Sequence, residues 1–200
     1  MSLPASPNAS TGAIEVEGRI LAMGLLAIQA VIGYEWLVSG ITKLSSDFIP
    51  TFGLRLPEAA SAAPRWFLVI LDNVVAPAPT FWAVFASVTE LLLGIALLGT
   101  AALLMWRFHR LPRLAHLLFL GVSGLAALAA TVLAISLHVL NGATHPWLLP
   151  GDPFDEGVDL DSLLPAIQTV IFIVSLLQLR QLRRRARTHD AMANPKHVEV

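Results

Sequence analysis

The chain has no cysteine. That excludes disulfides, thiolate metal sites, iron–sulfur clusters and the thiol relay of a disulfide-generating membrane enzyme. Any redox role therefore needs a cofactor held by other side chains. Charge is also scarce: 14% of the 200 residues are Asp, Glu, Lys or Arg, and the formal net charge is -1. No overall basic excess is available to nucleic acid, so a nucleic-acid partner is not expected. Histidine is absent from three of the four long apolar stretches, which argues against haem, because a bis-histidine haem needs ligands on facing helices at matched depth. His116 and His138 lie on the same stretch, near its opposite ends, while His109, His145, His189 and His197 fall in loops or the tail. The first 17 residues are acidic rather than basic and rich in Ser, Pro and Ala, so they do not read as a cleaved signal.

What is abundant is apolar sequence: 56% of the residues are hydrophobic and the mean hydropathy is +0.70. A soluble domain of this length has no core large enough to hide that much. Four stretches match the roughly 20 residues a helix needs to cross the hydrocarbon core: Gly18 to Leu44, Thr80 to Trp106, Leu114 to Leu140 and Ser162 to Leu179. The expected fold is all-α, an integral membrane four-helix bundle. Residues 1–17 form a disordered cytoplasmic tail, 18–179 the membrane domain and 180–200 a basic cytoplasmic tail. A fifth stretch, "PRWFLVILDNVVAP" from Pro64 to Pro77, is shorter and interrupted by Asp72 and Asn73, so it reads as an interfacial or re-entrant helix in the first outer loop. "GVSGLAALAATV" offers Gly121, Gly124 and several alanines as a close-packing surface in the third span.

With both termini inside, ten of the thirteen Lys and Arg residues are cytoplasmic, and the third loop, "NGATHPWLLPGDPFDEGVDLD", is outside with five acids and no Lys or Arg. The positive-inside rule thus gives an N-in, C-in topology, and the expected location is a bacterial cytoplasmic membrane. The cluster Asp152, Asp155, Glu156, Asp159 and Asp161 lacks the spacing of a calcium loop and reads as solvated, with no metal expected; docking of a basic partner is the alternative. "RQLRRRAR" suits anionic lipid.

The residues that stand out chemically are Glu35 and Glu90, carboxyls within spans, where such a group either faces the bundle interior or stays protonated. Counted at about 1.5 Å per residue, Glu35 lies ~12 Å in from Lys43 and Glu90 ~15 Å in from Thr80, so the two fit one polar layer in the outer half of the membrane. Ser39 and Thr42 extend the Glu35 face outward, and Gln168 shares a face with Asp161 and extends the pocket inward. Lys43, with Arg65 if the short helix folds back, would attract an anion or polarise a carbonyl. A carboxyl that exchanges protons beside a quinone head fits proton-coupled redox chemistry. The other readings are an interhelical hydrogen bond for Glu90 and a lysine that snorkels to the interface for Lys43.

"GYEWLVSGITKL", with Gly40, Lys43 and Leu44, and "TELLLGIALLGTAALL", with Glu90, Gly94 and Gly99, resemble the DoxX-like membrane family, in particular the DoxD-type subunit of thiosulfate:quinone oxidoreductase. The resemblance implies a four-helix membrane subunit of a quinone-linked oxidoreductase, with thiosulfate as donor, quinone as cofactor and a partner protein that completes electron transfer. Glu35, Glu90 and Lys43 are then the catalytic candidates, and Ser39, Thr42, Arg65 and Gln168 the quinone-binding ones. Two rival classes stay open: a membrane scaffold or stress-response partner whose polar residues only specify packing, and a membrane enzyme that processes a small lipid with the two carboxyls as acid and base.

Overall fold

The computed structural model describes residues 7–107, 111–140 and 160–193, with side chains described over 20–61, 63–107, 111–140 and 163–184. Among these residues all regular structure is helical: α1 (Pro7–Ser45), α2 (Phe48–Ala62), α3 (Arg65–Ile70) running on through one wide π-type turn (Leu71–Val75), α4 (Pro79–Arg107), α5 (Arg113–Leu140) and α6 (Leu160–Ala193). Four helices are long and apolar enough to cross a membrane, over Ile20–Ser45, Pro79–Arg107, Arg113–Leu140 and Leu163–Arg184. The protein is an all-α, four-helix membrane bundle. α1 begins at Pro7, so its first turns fall within the stretch expected as a tail, and α6 carries the basic segment as helix as far as Ala193.

Prolines set the breaks. Ala63, preceding Pro64, is extended (φ -72°, ψ 146°), because the proline ring disfavours a helical conformation in the residue before it. The chain therefore leaves α2 and restarts as α3, where the Phe67 and Leu68 amides donate to the Pro64 carbonyl at 2.9 and 3.1 Å. α4 opens with Pro79, whose missing N–H costs nothing in a first turn. The short helix expected between Pro64 and Pro77 is present as α3 and its π turn. The turn is closed by the Ala76 amide on the Leu71 carbonyl at 2.7 Å and tied to α4 by Trp82 Nε1, which donates to the Val74 carbonyl at 2.7 Å. α2 has no counterpart in the sequence reading. Pro50 lies in its first turn, where an N–H has no helical acceptor in any case, and Pro57 is carried inside it.

The bundle turns apolar side chains outward and polar ones inward. Leu92, Ile95, Leu125 and Val132 are exposed, whereas Gln29, Ser87, Glu90, Thr100, Ser123, Gln168 and Ser175 are buried. Lipid chains are as apolar as leucine, so burying leucines against one another drives association weakly. Close backbone approach and interhelical hydrogen bonds hold such helices together instead. α1 packs chiefly on α4, and α5 on α6 and α4. The α1–α4 seam is built by glycines whose absent Cβ atoms make room for the facing backbone. A Cβ on Gly33 would lie 2.5 Å from the Leu98 nitrogen, one on Gly40 2.5 Å from the Leu91 nitrogen, and one on Gly94 would run into the Leu37 backbone. These three contacts pair rising numbers on α1 with falling numbers on α4, an antiparallel register. On α5, Gly124 meets the Ser175 Cβ as a packing residue does, but Gly121 has no atom within 4 Å of its Cβ position. The α5 interface rests more on Ala126, Ala127, Ala130 and Ala134, all buried.

Candidate functional site

The α1–α4 register determines where Glu90 goes. Gly40 admits the α4 backbone at Leu91, so the preceding residue, Glu90, enters the bundle between the α1 side chains on either side of that glycine. Ser39 Oγ donates to Glu90 Oε2 at 2.9 Å, and Lys43 Nζ donates to Glu90 Oε1 in an ion pair. Glu90 is 0% exposed and the Lys43 side chain 22%. A carboxylate taken fully out of solvent is tolerated only when paired and hydrogen-bonded, and both of its oxygens are bonded here. The Lys43 ammonium also lies 5.4 Å from the Phe48 ring centroid, a cation–π contact that fastens the start of α2 over the pair.

Beside this pair is a cavity of about 320 Å³, within the range of small-molecule sites. α1 lines it with Glu35, Trp36, Ser39 and Lys43, and α4 with Glu90. α2 contributes Phe48 and Phe52; α5 contributes Ala134, Leu137, His138 and Leu140; α6 contributes Leu164. The two glutamates expected in one polar layer do share one cavity, in different settings. Glu90 is a fully buried part of the lining. Glu35 is exposed on the wall, and no hydrogen bond or ion pair engages it among the described residues. His138 lines the cavity from α5.

Of the seven residues singled out from the sequence, Glu35, Ser39, Lys43 and Glu90 converge on the cavity. Thr42 and Arg65 are exposed and outside its lining. Thr42, seven residues on from Glu35, shares its side of α1 but stands beyond the lining, and Arg65 follows the break at Pro64, past the end of α2. Gln168 is fully buried one turn along α6 from the lining residue Leu164, and neither its Nε2 nor its Oε1 has a partner. Lys43, expected to engage an incoming anion, is instead occupied by Glu90.

A second polar group, deeper in the bundle, has no counterpart in the sequence reading. Gln29 Nε2 donates to Thr100 Oγ1 at 2.8 Å and to the Leu97 carbonyl at 2.9 Å; Ser123 Oγ donates to Gln29 Oε1 at 2.9 Å and lies 3.5 Å from Ser175 Oγ. One glutamine thus joins α1, α4 and α5, and Ser123 carries the group on to α6. The available signal was a glutamine inside an apolar span, a residue that in hydrocarbon must find a partner helix. A void of about 30 Å³, enough for one water, lies beside this clasp among Gln29, His116, Ser175 and Gln178.

Among the described residues no three His, Asp or Glu side chains gather to hold a metal. The acidic loop from Asn141 to Asp159 and its His145 lie outside the described residues, as do His109, His197 and Lys196; the side chains of Asp161 and His189 do so too. Comparison with protein-family models, with curated proteins and with solved structures gives no match.

Proposed function

We propose that this chain is the membrane subunit of a quinone-linked oxidoreductase, and that the cavity at the Lys43 end of the bundle holds the quinone head. The observation that carries this reading is the pairing of opposites around one space. An unengaged carboxyl, Glu35, and an imidazole, His138, face apolar and aromatic walls made by Trp36, Phe48, Phe52, Leu137 and Leu164. A flat, uncharged ring with oxygens at its edge is served by such a lining: the walls cover the ring, and the titratable groups hand over the two protons that accompany two-electron reduction.

The charge balance narrows the substrate. Among the described residues, the one Lys or Arg side chain in the lining is Lys43, and it already belongs to Glu90. A dianion such as thiosulfate would therefore find no unpaired Lys or Arg to receive it, so this site is assigned to quinone and the oxidation of the sulfur donor to a partner protein. The Lys/Arg distribution supports placing the Lys43 end at the outer face of a bacterial cytoplasmic membrane, with both termini inside.

The test is to purify the protein in mild detergent, identify the retained lipids by mass spectrometry and then titrate a short-chain ubiquinone into the protein in nanodiscs. Quinone held by the native chain and lost from a folded Glu35→Gln variant supports the reading; no quinone in either preparation and no binding in nanodiscs removes it. One observation favours a scaffold as the second reading. Glu90, buried and bonded to two α1 side chains, does what an interhelical fastener does. A scaffold predicts that Glu90→Gln weakens assembly and that Glu35→Gln changes nothing.

A further inference from the structure

The layer at the inner end of the cavity is short of hydrogen-bond partners. Trp36 Nε1, Gln168 Nε2 and Gln168 Oε1 have none, although Trp36 is 4% exposed and Gln168 0%. Groups of this kind are normally satisfied, because an unpaired buried donor or acceptor keeps its full desolvation penalty.

Helix register brings these groups to one depth. Gln29 of α1 and Ser175 of α6 both meet the Ser123 hydroxyl, at 2.9 and 3.5 Å. At the other end, Lys43 of α1 and Leu164 of α6 both line the cavity, so α1 and α6 run in opposite directions. Seven residues on from Gln29 is Trp36, and seven back from Ser175 is Gln168. Two helical turns, about 10.5 Å, therefore separate a lower layer holding Gln29 and Ser175 from an upper layer holding Trp36 and Gln168. The same step carries Thr100 to Leu93 on α4 and Ser123 to Ala130 on α5, and Trp36, Leu93 and Ala130 belong to one buried cluster. In the lower layer, hydroxyls on α4 and α5 satisfy the glutamine. In the upper layer their places are taken by a leucine and an alanine, so an indole N–H and an amide are left with no hydroxyl to meet. One turn nearer the Lys43 end, Ala134 and Leu164 line the cavity, and Trp36 does so itself.

We infer that the Trp36–Gln168 layer is the inner subsite of the cavity and takes an oxygen atom of the ligand in place of the missing hydroxyl. Trp36 Nε1 and Gln168 Nε2 donate to a carbonyl oxygen there; when that oxygen is a hydroxyl, it donates to Gln168 Oε1. A primary amide serves both roles without a change of charge, so the subsite suits a quinone and its quinol alike. This rests on the quinone reading above and identifies the residues that would receive the inner oxygen of the head.

The probe is a short-chain ubiquinone titrated into the native chain, Trp36→Phe and Gln168→Leu in nanodiscs. Each variant deletes hydrogen-bonding capacity and keeps bulk. The dissociation constant rises about five- to tenfold in each, as for loss of a neutral hydrogen bond. Without quinone, the thermal midpoint of Gln168→Leu stays level or rises, since an unpaired amide has been removed. The indole ¹⁵N–¹H resonance that Trp36→Phe abolishes moves downfield when quinone is added. Unchanged affinity in both variants, or a Trp36 resonance already hydrogen-bonded and unmoved by quinone, overturns the inference, the latter meaning that water fills the layer. Failure of the native chain to bind the probe removes this subsite together with the quinone reading, and so differs from either of those results.

Discussion

Gly40 of α1 faces Leu91 of α4 so closely that a Cβ on the glycine would lie 2.5 Å from the leucine's backbone nitrogen. No side-chain rotation relieves a clash with backbone; the helices must part. Gly40→Ala and Gly94→Ala are each expected to destabilise the bundle by about 2–3 kcal/mol, the upper range for overpacking. Gly99→Ala, at a position with no atom within 4 Å, is the control and is expected to be neutral or to stabilise slightly through helix propensity. Thermal unfolding in detergent, followed by circular dichroism, checks all three. Equal loss in Gly99→Ala and Gly40→Ala would contradict the seam.

The Lys43–Glu90 pair is expected to behave asymmetrically under mutation. Lys43→Met leaves the fully buried Glu90 carboxylate without its cation and costs about 3 kcal/mol, the low end for breaking a buried pair, because Lys43 is partly exposed. The double variant Lys43→Met with Glu90→Gln removes both charges and recovers most of that loss. A double-mutant cycle on unfolding free energy reads the coupling, and additive effects would mean that the pair is not formed.

The Gln29 clasp holds all four spans, so Gln29→Leu affects all of them together. Interhelical hydrogen bonds in membrane proteins average about 0.6 kcal/mol and reach about 1.7, so losing the bonds to Thr100, Leu97 and Ser123 costs about 2 kcal/mol in all. The loss appears as a lower thermal midpoint with quinone binding retained, since the clasp lies two turns from the cavity layer. Loss of binding with an unchanged midpoint would assign Gln29 to the site instead.

The absence of cysteine makes topology directly measurable. Single cysteines at Thr42 and at Arg113, the two ends of the bundle, are expected to react with a membrane-impermeant maleimide on opposite sides of intact cells or spheroplasts, Thr42 from outside. Labelling of Arg113→Cys from outside would invert the orientation and place the cavity at the cytoplasmic face.

Hydropathy made the four spans legible, because a run of apolar residues long enough to cross a bilayer says the same thing in every context. Glu35, Ser39, Lys43 and Glu90 were legible as a group for a related reason: a charged residue in such a run needs a partner, depth counting sets Glu35 and Glu90 at similar levels, and Ser39 and Lys43 follow Glu35 outward along α1. Helix spacing puts Thr42 on the Glu35 face, but the cavity lining does not reach it, and Lys43, read as free to meet an anion, is paired with Glu90. The partner of Lys43 depends on Gly40, a contact between helices that no single-helix pattern contains. α2 was hidden for the opposite reason. Prolines at 50 and 57 argue against helix in isolation, and only Phe48 and Phe52 turned toward the cavity reveal what the segment does.

The glycine seam also decides which parts of the molecule are free to move. Three close contacts along α1 and α4 hold those helices against sliding and against rotation, because either motion takes a leucine main chain out of the space a glycine leaves and drives it against the side chains on either side. That pair forms a fixed side of the cavity, which it lines with Glu35, Trp36, Ser39, Lys43 and Glu90. The glycines that position Glu90 thus also set the spacing of every side chain that α1 and α4 present to the cavity.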